Sequence, residues 1–256
     1  MCQFFSLVSN GKGKIMYFDW ELRQKCLSGE LDYEPDSHTS VADHYGYKGT
    51  REDRLNKYEY NPLTKELVVD QLNTKDDSGY VEEFCGGLDF QNIVPYLVIK
   101  PIVNPFKDRD GVLDDKALQL LKEWADVRQS VLASVRDRVR ISVRYRVRIR
   151  VGARVWASVL ASVEDSVWDS VWDSVWDSVW ASVRASAGAS VRDSVWDSVW
   201  AYTGTFFDVW DGDYLYQCGA DLWERGLLPS FDEEVWRLHS RNGIVWQGTV
   251  EDLEVE

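Results

Sequence analysis

Cys2 stands directly behind the initiator methionine. A small second residue permits removal of Met1. A thiol beside its own α-amino group can then act as nucleophile and base together, the chemistry of N-terminal-nucleophile hydrolases. Only "MC" matches that pattern, and no oxyanion donors can be placed around it. A buried cysteine in a first strand is the plainer reading. Asp36, His38, Asp43 and His44 lie within "DSHTSVADH" and could ligate a metal if a turn folded them together. Their spacing fits no strong ligand motif, and Ser37 or Thr39 capping a short helix explains the stretch more simply. No metal and no cofactor is assigned. Arg136, Arg138, Arg140, Arg144, Arg146, Arg148, Arg150 and Arg154 surround one acid, Asp137, with Tyr145 and Trp156 close by. Such a stripe can grip phosphate and stack bases. Yet Glu164, Asp165, Asp169, Asp173 and Asp177 follow without a basic residue between them. Pairing of the two stretches, within the chain or between subunits, needs no ligand. Trp168, Trp172, Trp176, Trp180, Trp196 and Trp200 are too many to leave in water, and apolar area on that scale marks an interface or a packed core. The binding residues expected from this reading are Arg144, Arg146, Arg148 and Arg150 together with Trp168, Trp172, Trp176 and Trp180.

Composition narrows the choice. The chain has 256 residues, 45% hydrophobic and 28% charged, with a net charge of -14. It is long enough for a substantial core. The acidic balance argues against nucleic acid as a general partner, so self-association or another protein is preferred. No apolar run reaches membrane-spanning length, and a membrane-surface helix with Asp on its polar face would be repelled by anionic lipid. The N-terminus lacks the basic start of a signal peptide. Cys2, Cys26, Cys85 and Cys218 are scattered, which fits reduced thiols in a cytoplasm.

The elements that must position these residues fall into three zones. Residues 1–110 read as an N-terminal α+β domain. "CQFFSLV" and "KIMYF" flank a Gly-rich turn, and "NKYEY" and "ELVVD" flank "NPLTK", giving two hairpins. Asp19 caps a short helix closed by Gly29, and "DDSGYVEEFCGG" reads as another. "PIVNPFKDRDG" reads as a linker, because two prolines and a glycine punctuate it. Residues 111–201 hold a helix capped by Asp114 or Asp115 that leads into a tetrapeptide-repeat arm. Residues 202–256 form a small C-terminal cap, with a helix at "ADLWERGL" and a hairpin at "EVWRLHS" and "GIVWQG". His239 alternates along that strand and is read as structural.

The repeat itself poses the harder question. Val returns at every fourth position from Val127 to Val199, except at Ala187. On an α-helix each Val sits about 40° past the last, so a long straight helix carries its apolar stripe around to every side. On a strand, Val would share a face with Asp or Ala. That alternation is strong only over Arg138–Val151, where a strand is the better match. Continuity with the helix at 114–127 favours a long helix for the arm, with a β-solenoid as the second reading. Gly152 and Gly188 mark breaks or bends. At the position after Val, Arg, Gly and Leu each lie one base change from the single Trp codon. DNA duplication and drift would therefore also leave this record, and no repeat residue would then have a role of its own.

The flanks add provenance. "MCQFFSLVSNGKGK", "DYEPDSHTSVADHYG", "LNKYEYNPLTKELVVDQLNTKDDS", "KPIVNPF" and "DLWERGLLPSFDEEVWRLH" resemble uncharacterised bacteriophage and prophage proteins that carry an SVWD or SVRD array between unique flanks. The resemblance covers nearly the whole chain. It implies a phage or mobile-element accessory protein acting in the host cytoplasm, and it carries no activity and no catalytic residues. The expected function is a non-enzymatic interaction or scaffold protein working through its repeat arm. The alternatives are a hydrolase using Cys2 and a nucleic-acid binder using the arginine segment.

Overall fold

The computed structural model describes residues 5–130, 135, 138–143, 156–182, 188–210 and 212–253. Helices and antiparallel sheets are mixed, as an α+β chain requires. The chain divides into two compact units. One takes residues 1–101 and 144–163, the other 102–143 and 164–256.

In the first unit, β1 (Ser6–Ser9) and β2 (Ile15–Met16) form the expected hairpin. Its turn is held by Asn10, whose Oδ1 accepts the amides of Lys12 at 2.9 Å and Lys14 at 3.1 Å. β3 (Asn56–Asn61) and β4 (Glu66–Gln71) form the second hairpin, and the sheet runs β2-β1-β3-β4. α1 (Trp20–Ser28) starts at Asp19, whose side chain accepts from the Leu22 amide, and ends at Gly29 with φ 81°. α2 (His38–His44) is capped by Ser37. Two short helices, α3 (Ser78–Gly86) and α4 (Phe90–Ile93), come after the sheet. Val8, Met16, Phe18, Cys26, Val41, Ala42 and Leu55 pack together as the core.

In the second unit, part of the stretch read as a linker, 101–111, is built into the core, while 107–110 are exposed. Val103, Asn104 and Phe106 are buried. The Val103 amide donates to Tyr202 Oη at 2.9 Å, and its carbonyl accepts from Trp223 Nε1 at 2.8 Å. Proline stops regular structure here but does not keep the segment out of the core, because side chains supply the hydrogen bonds that a helix or strand would have supplied. α5 (Asp115–Ser130) is capped by Asp114, which accepts the Ala117 amide at 2.8 Å. α5 packs against α9 (Gln217–Glu224), where Gly219 lets the Trp124 ring approach. β5 (Leu228–Phe231), β6 (Trp236–Ser240) and β7 (Gly243–Gly248) form an antiparallel sheet in chain order, so the expected C-terminal hairpin also forms.

The described repeats are helical. Residues 138–143 form α6, α7 is Trp156–Ser182 and α8 is Gly188–Gly204. The strand expected from Arg138 onward is therefore a helix over 138–143. Val135, Val139 and Val143 are buried at the four-residue spacing of the rest of the seam. That common seam overrides the local Arg–Val alternation, and Arg tolerates a helix well. Among the described residues there is no β-solenoid and no free-standing arm. Val163, Val167, Val171, Val175, Val179, Val191, Val195 and Val199 are all buried. From Val163 to Val179 the stripe rotates by about 160°, so the buried side of α7 spans nearly half its circumference.

Candidate interaction face on the repeat helices

Each tetrad of α7 repeats the same arrangement relative to its own Val, turned about 40° from the tetrad before. Val points inward, while Asp165, Asp169, Asp173 and Asp177 are exposed. Trp168 and Trp172 are half-buried between these extremes. Asp165 precedes Trp168 by three positions, as Asp169 precedes Trp172, and residues three apart share a helix face. The indoles are ordered by stacking. Trp168 lies flat on Trp196 of α8, with centroids 3.7 Å apart and planes at 8°, and its centroid is 4.1 Å from that of Trp172. None of the four aspartates forms an ion pair with another described residue. The Asp165 carboxyl is pushed above its ordinary range, first by desolvation and then by the charge of Asp169. Trp176 and Trp180 belong to α7, but their side chains lie outside the described residues, as do Arg144, Arg146, Arg148, Arg150 and Cys2.

The neighbouring tetrads of α8 are built into the second unit. Ser194 Oγ accepts from the Phe231 amide at 3.1 Å and from Arg128 Nη1 at 2.8 Å, and lies 2.8 Å from the Ser190 carbonyl. Arg128 Nε faces Asp197 at 3.5 Å, and its guanidinium lies 5.3 Å from the Phe231 ring and 5.6 Å from the Trp236 ring. Asp197 is fully buried, unlike its exposed equivalents on α7. Trp200 is buried beneath Arg140, whose guanidinium sits 5.6 Å from the ring. On α7, Asn104 Nδ2 donates to the Ser170 carbonyl at 3.1 Å and to Ser174 Oγ at 2.6 Å. Nothing in the sequence distinguishes Asp197 from the other repeat aspartates. Its role comes from Arg128, distant along the chain but adjacent in space, and only the fold reveals it.

The remaining polar candidates serve the fold. Asp36 takes Arg23 in a buried pair at 2.6 Å, and Arg23 Nε donates to the Phe18 carbonyl. His38 Nε2 bonds the Tyr58 carbonyl at 2.9 Å, and His44 packs edge-on against Phe18 and Tyr33. Asp36, His38 and His44 thus work apart from one another. Ser230 Oγ and His239 Nε2 are 2.6 Å apart, a pair that sequence reasoning missed because Ser230 follows a proline in an otherwise apolar strand. Both are buried, and desolvation lowers His239 to about 4.

Comparison with family models, with curated proteins and with solved structures returns no match. Among the described residues, no helix is long and apolar enough to cross a membrane.

Proposed function

We propose that this chain is a non-enzymatic interaction protein, a phage or mobile-element accessory protein of the kind its flanks resemble, working in the host cytoplasm. The observation that supports this reading is the face of α7. Consecutive tetrads bury Val and present a row of carboxylates beside partly open indoles. A rigid helix with one buried side displays the other side at fixed spacing, which suits recognition of another chain.

The test is co-precipitation from host cells together with light scattering, using full-length protein and a W168A/W172A variant. Deleting the array is unsuitable, because its tetrads form part of the core. The expected outcome is a captured protein, or a self-associated species, that the variant loses while its far-UV circular dichroism is retained. Full-length protein that remains monomeric and captures nothing would defeat the proposal.

A further inference from the structure

We propose that Asn242, at the tip of the β6–β7 hairpin, is a site of spontaneous deamidation, and that the fold opens this Asn-Gly pair to the reaction while closing the other. The site belongs to the second unit and does not involve the α7 face. Asn-Gly favours this chemistry because glycine has no side chain to hinder its backbone nitrogen from approaching the preceding carboxamide. The chain has two such pairs, Asn10–Gly11 and Asn242–Gly243. The first is locked. Asn10 Oδ1 accepts the amides of Lys12 and Lys14, which holds the carboxamide inside its turn. The Gly11 amide, which would be the nucleophile, is buried and donates to Ser9 Oγ at 3.1 Å. Gly11 is also pressed against Thr74, whose Oγ1 would lie 2.5 Å from an added Cβ, so the glycine has no room to swing. The second pair is open. Asn242 is exposed, and its carboxamide makes no hydrogen bond to another described residue; only its backbone amide is engaged, with Ser240 Oγ at 3.1 Å. Gly243 has no neighbour within 4 Å of the place a Cβ would take. Ser240 and Gly243 are the last pair of the β6–β7 ladder, where a hairpin opens most readily.

The reaction needs only solvent. When the end pair opens, the Gly243 backbone nitrogen attacks Asn242 Cγ. The N–Cγ bond forms, the Cγ–Nδ2 bond breaks, and ammonia leaves carrying the proton that the Gly243 nitrogen gives up. Water then opens the resulting succinimide ring at one of its two carbonyls, leaving aspartate or isoaspartate; nothing is oxidised or reduced. Either product places a new carboxylate beside Arg241, whose guanidinium pairs with Asp110 at 3.1 Å. The new charge competes for the cation that ties this hairpin to the segment before α5. Isoaspartate also lengthens the main chain of the turn by one carbon, which the Ser240–Gly243 pair must absorb.

The experiment ages full-length protein in mildly alkaline buffer at body temperature and follows both Asn-Gly peptides by mass spectrometry, with isoaspartate told from aspartate by fragmentation. In the folded protein, Asn242 is expected to convert roughly tenfold faster than Asn10, because only its pair opens without disturbing buried structure. In guanidinium the two rates should approach each other, since sequence alone then distinguishes them. N242Q, a change confined to an exposed turn, should remove the acidic species that accumulates on ion exchange. Asn10 converting as fast as Asn242 in the folded protein would overturn the proposal. So would an Asn242 that reacts only after unfolding, or a rate ratio that persists unchanged in guanidinium.

Discussion

Ser230 and His239 have the spacing of a nucleophile and its base, yet both are sealed inside the second unit. Burial leaves a signature in pH dependence. The folded chain holds His239 neutral down to about 4, below its ordinary 6.5. The unfolded chain takes up a proton once pH falls below 6.5, so it gains relative to the folded state. Stability present above pH 6.5 is therefore expected to fall by about 3 kcal/mol as pH drops toward 4. Urea melts across this range should show the slope, and H239Q should flatten it; identical slopes would place the proton uptake elsewhere. Arg128 offers a second residue-scale prediction. Removing it takes a charged partner away from the buried Asp197, which costs about 1–3 kcal/mol. R128M should lower the denaturation midpoint accordingly, while D169N on the exposed row should be neutral or slightly stabilising. Equal effects would mean the tetrads are interchangeable, as duplication and drift alone would have it.

Elements respond to register as well as to composition. Deleting one tetrad from α8, Asp193–Trp196, rotates the remainder of the helix by about 40° and withdraws it by about 6 Å. Ser198, Trp200 and Tyr202 would then miss their places in the core, and near-UV circular dichroism of the second unit should collapse. On α9, a methyl at Gly219 would meet the Trp124 ring at 2.5 Å. G219A should therefore lower stability by about 1–3 kcal/mol, measured by thermal denaturation. The short elements are legible in the sequence because each carries its own punctuation. Asp19 and Gly29 bracket α1, Asn10 sets the first turn, and Gly243, at φ 101°, closes the last hairpin. The array is less legible, because period four is compatible with more than one backbone and the deciding partners lie far along the chain. Residues 138–143 alternate like a strand, and only the buried Val139 and Val143 reveal the seam they share with α7 and α8. The α7 face is half legible. Its tryptophans and aspartates are visible as a composition, but the division into an exposed row and a buried anchor at Asp197 depends on Arg128 and on β5.

For the whole molecule, a charge of -14 is a standing repulsion. Screening it should raise the melting temperature as salt increases from about 0.05 to 0.5 M, before any partner is added. A flat response would show that the chain's arginines already neutralise its acids locally. The interior has a practical corollary. Cys26, Cys85 and Cys218 are buried, and burial pushes the Cys85 thiol up to about 12 and that of Cys218 to about 11. Thiolate is the form that alkylates, so all three should be silent toward a maleimide while the chain is folded. The folded protein then acts as its own blank: whatever label it takes up reports Cys2, and a C2A chain should take up none. A cysteine introduced at Asp169 in that background would carry a dye at one known point beside the indole stack, without any native thiol having to be removed from the core.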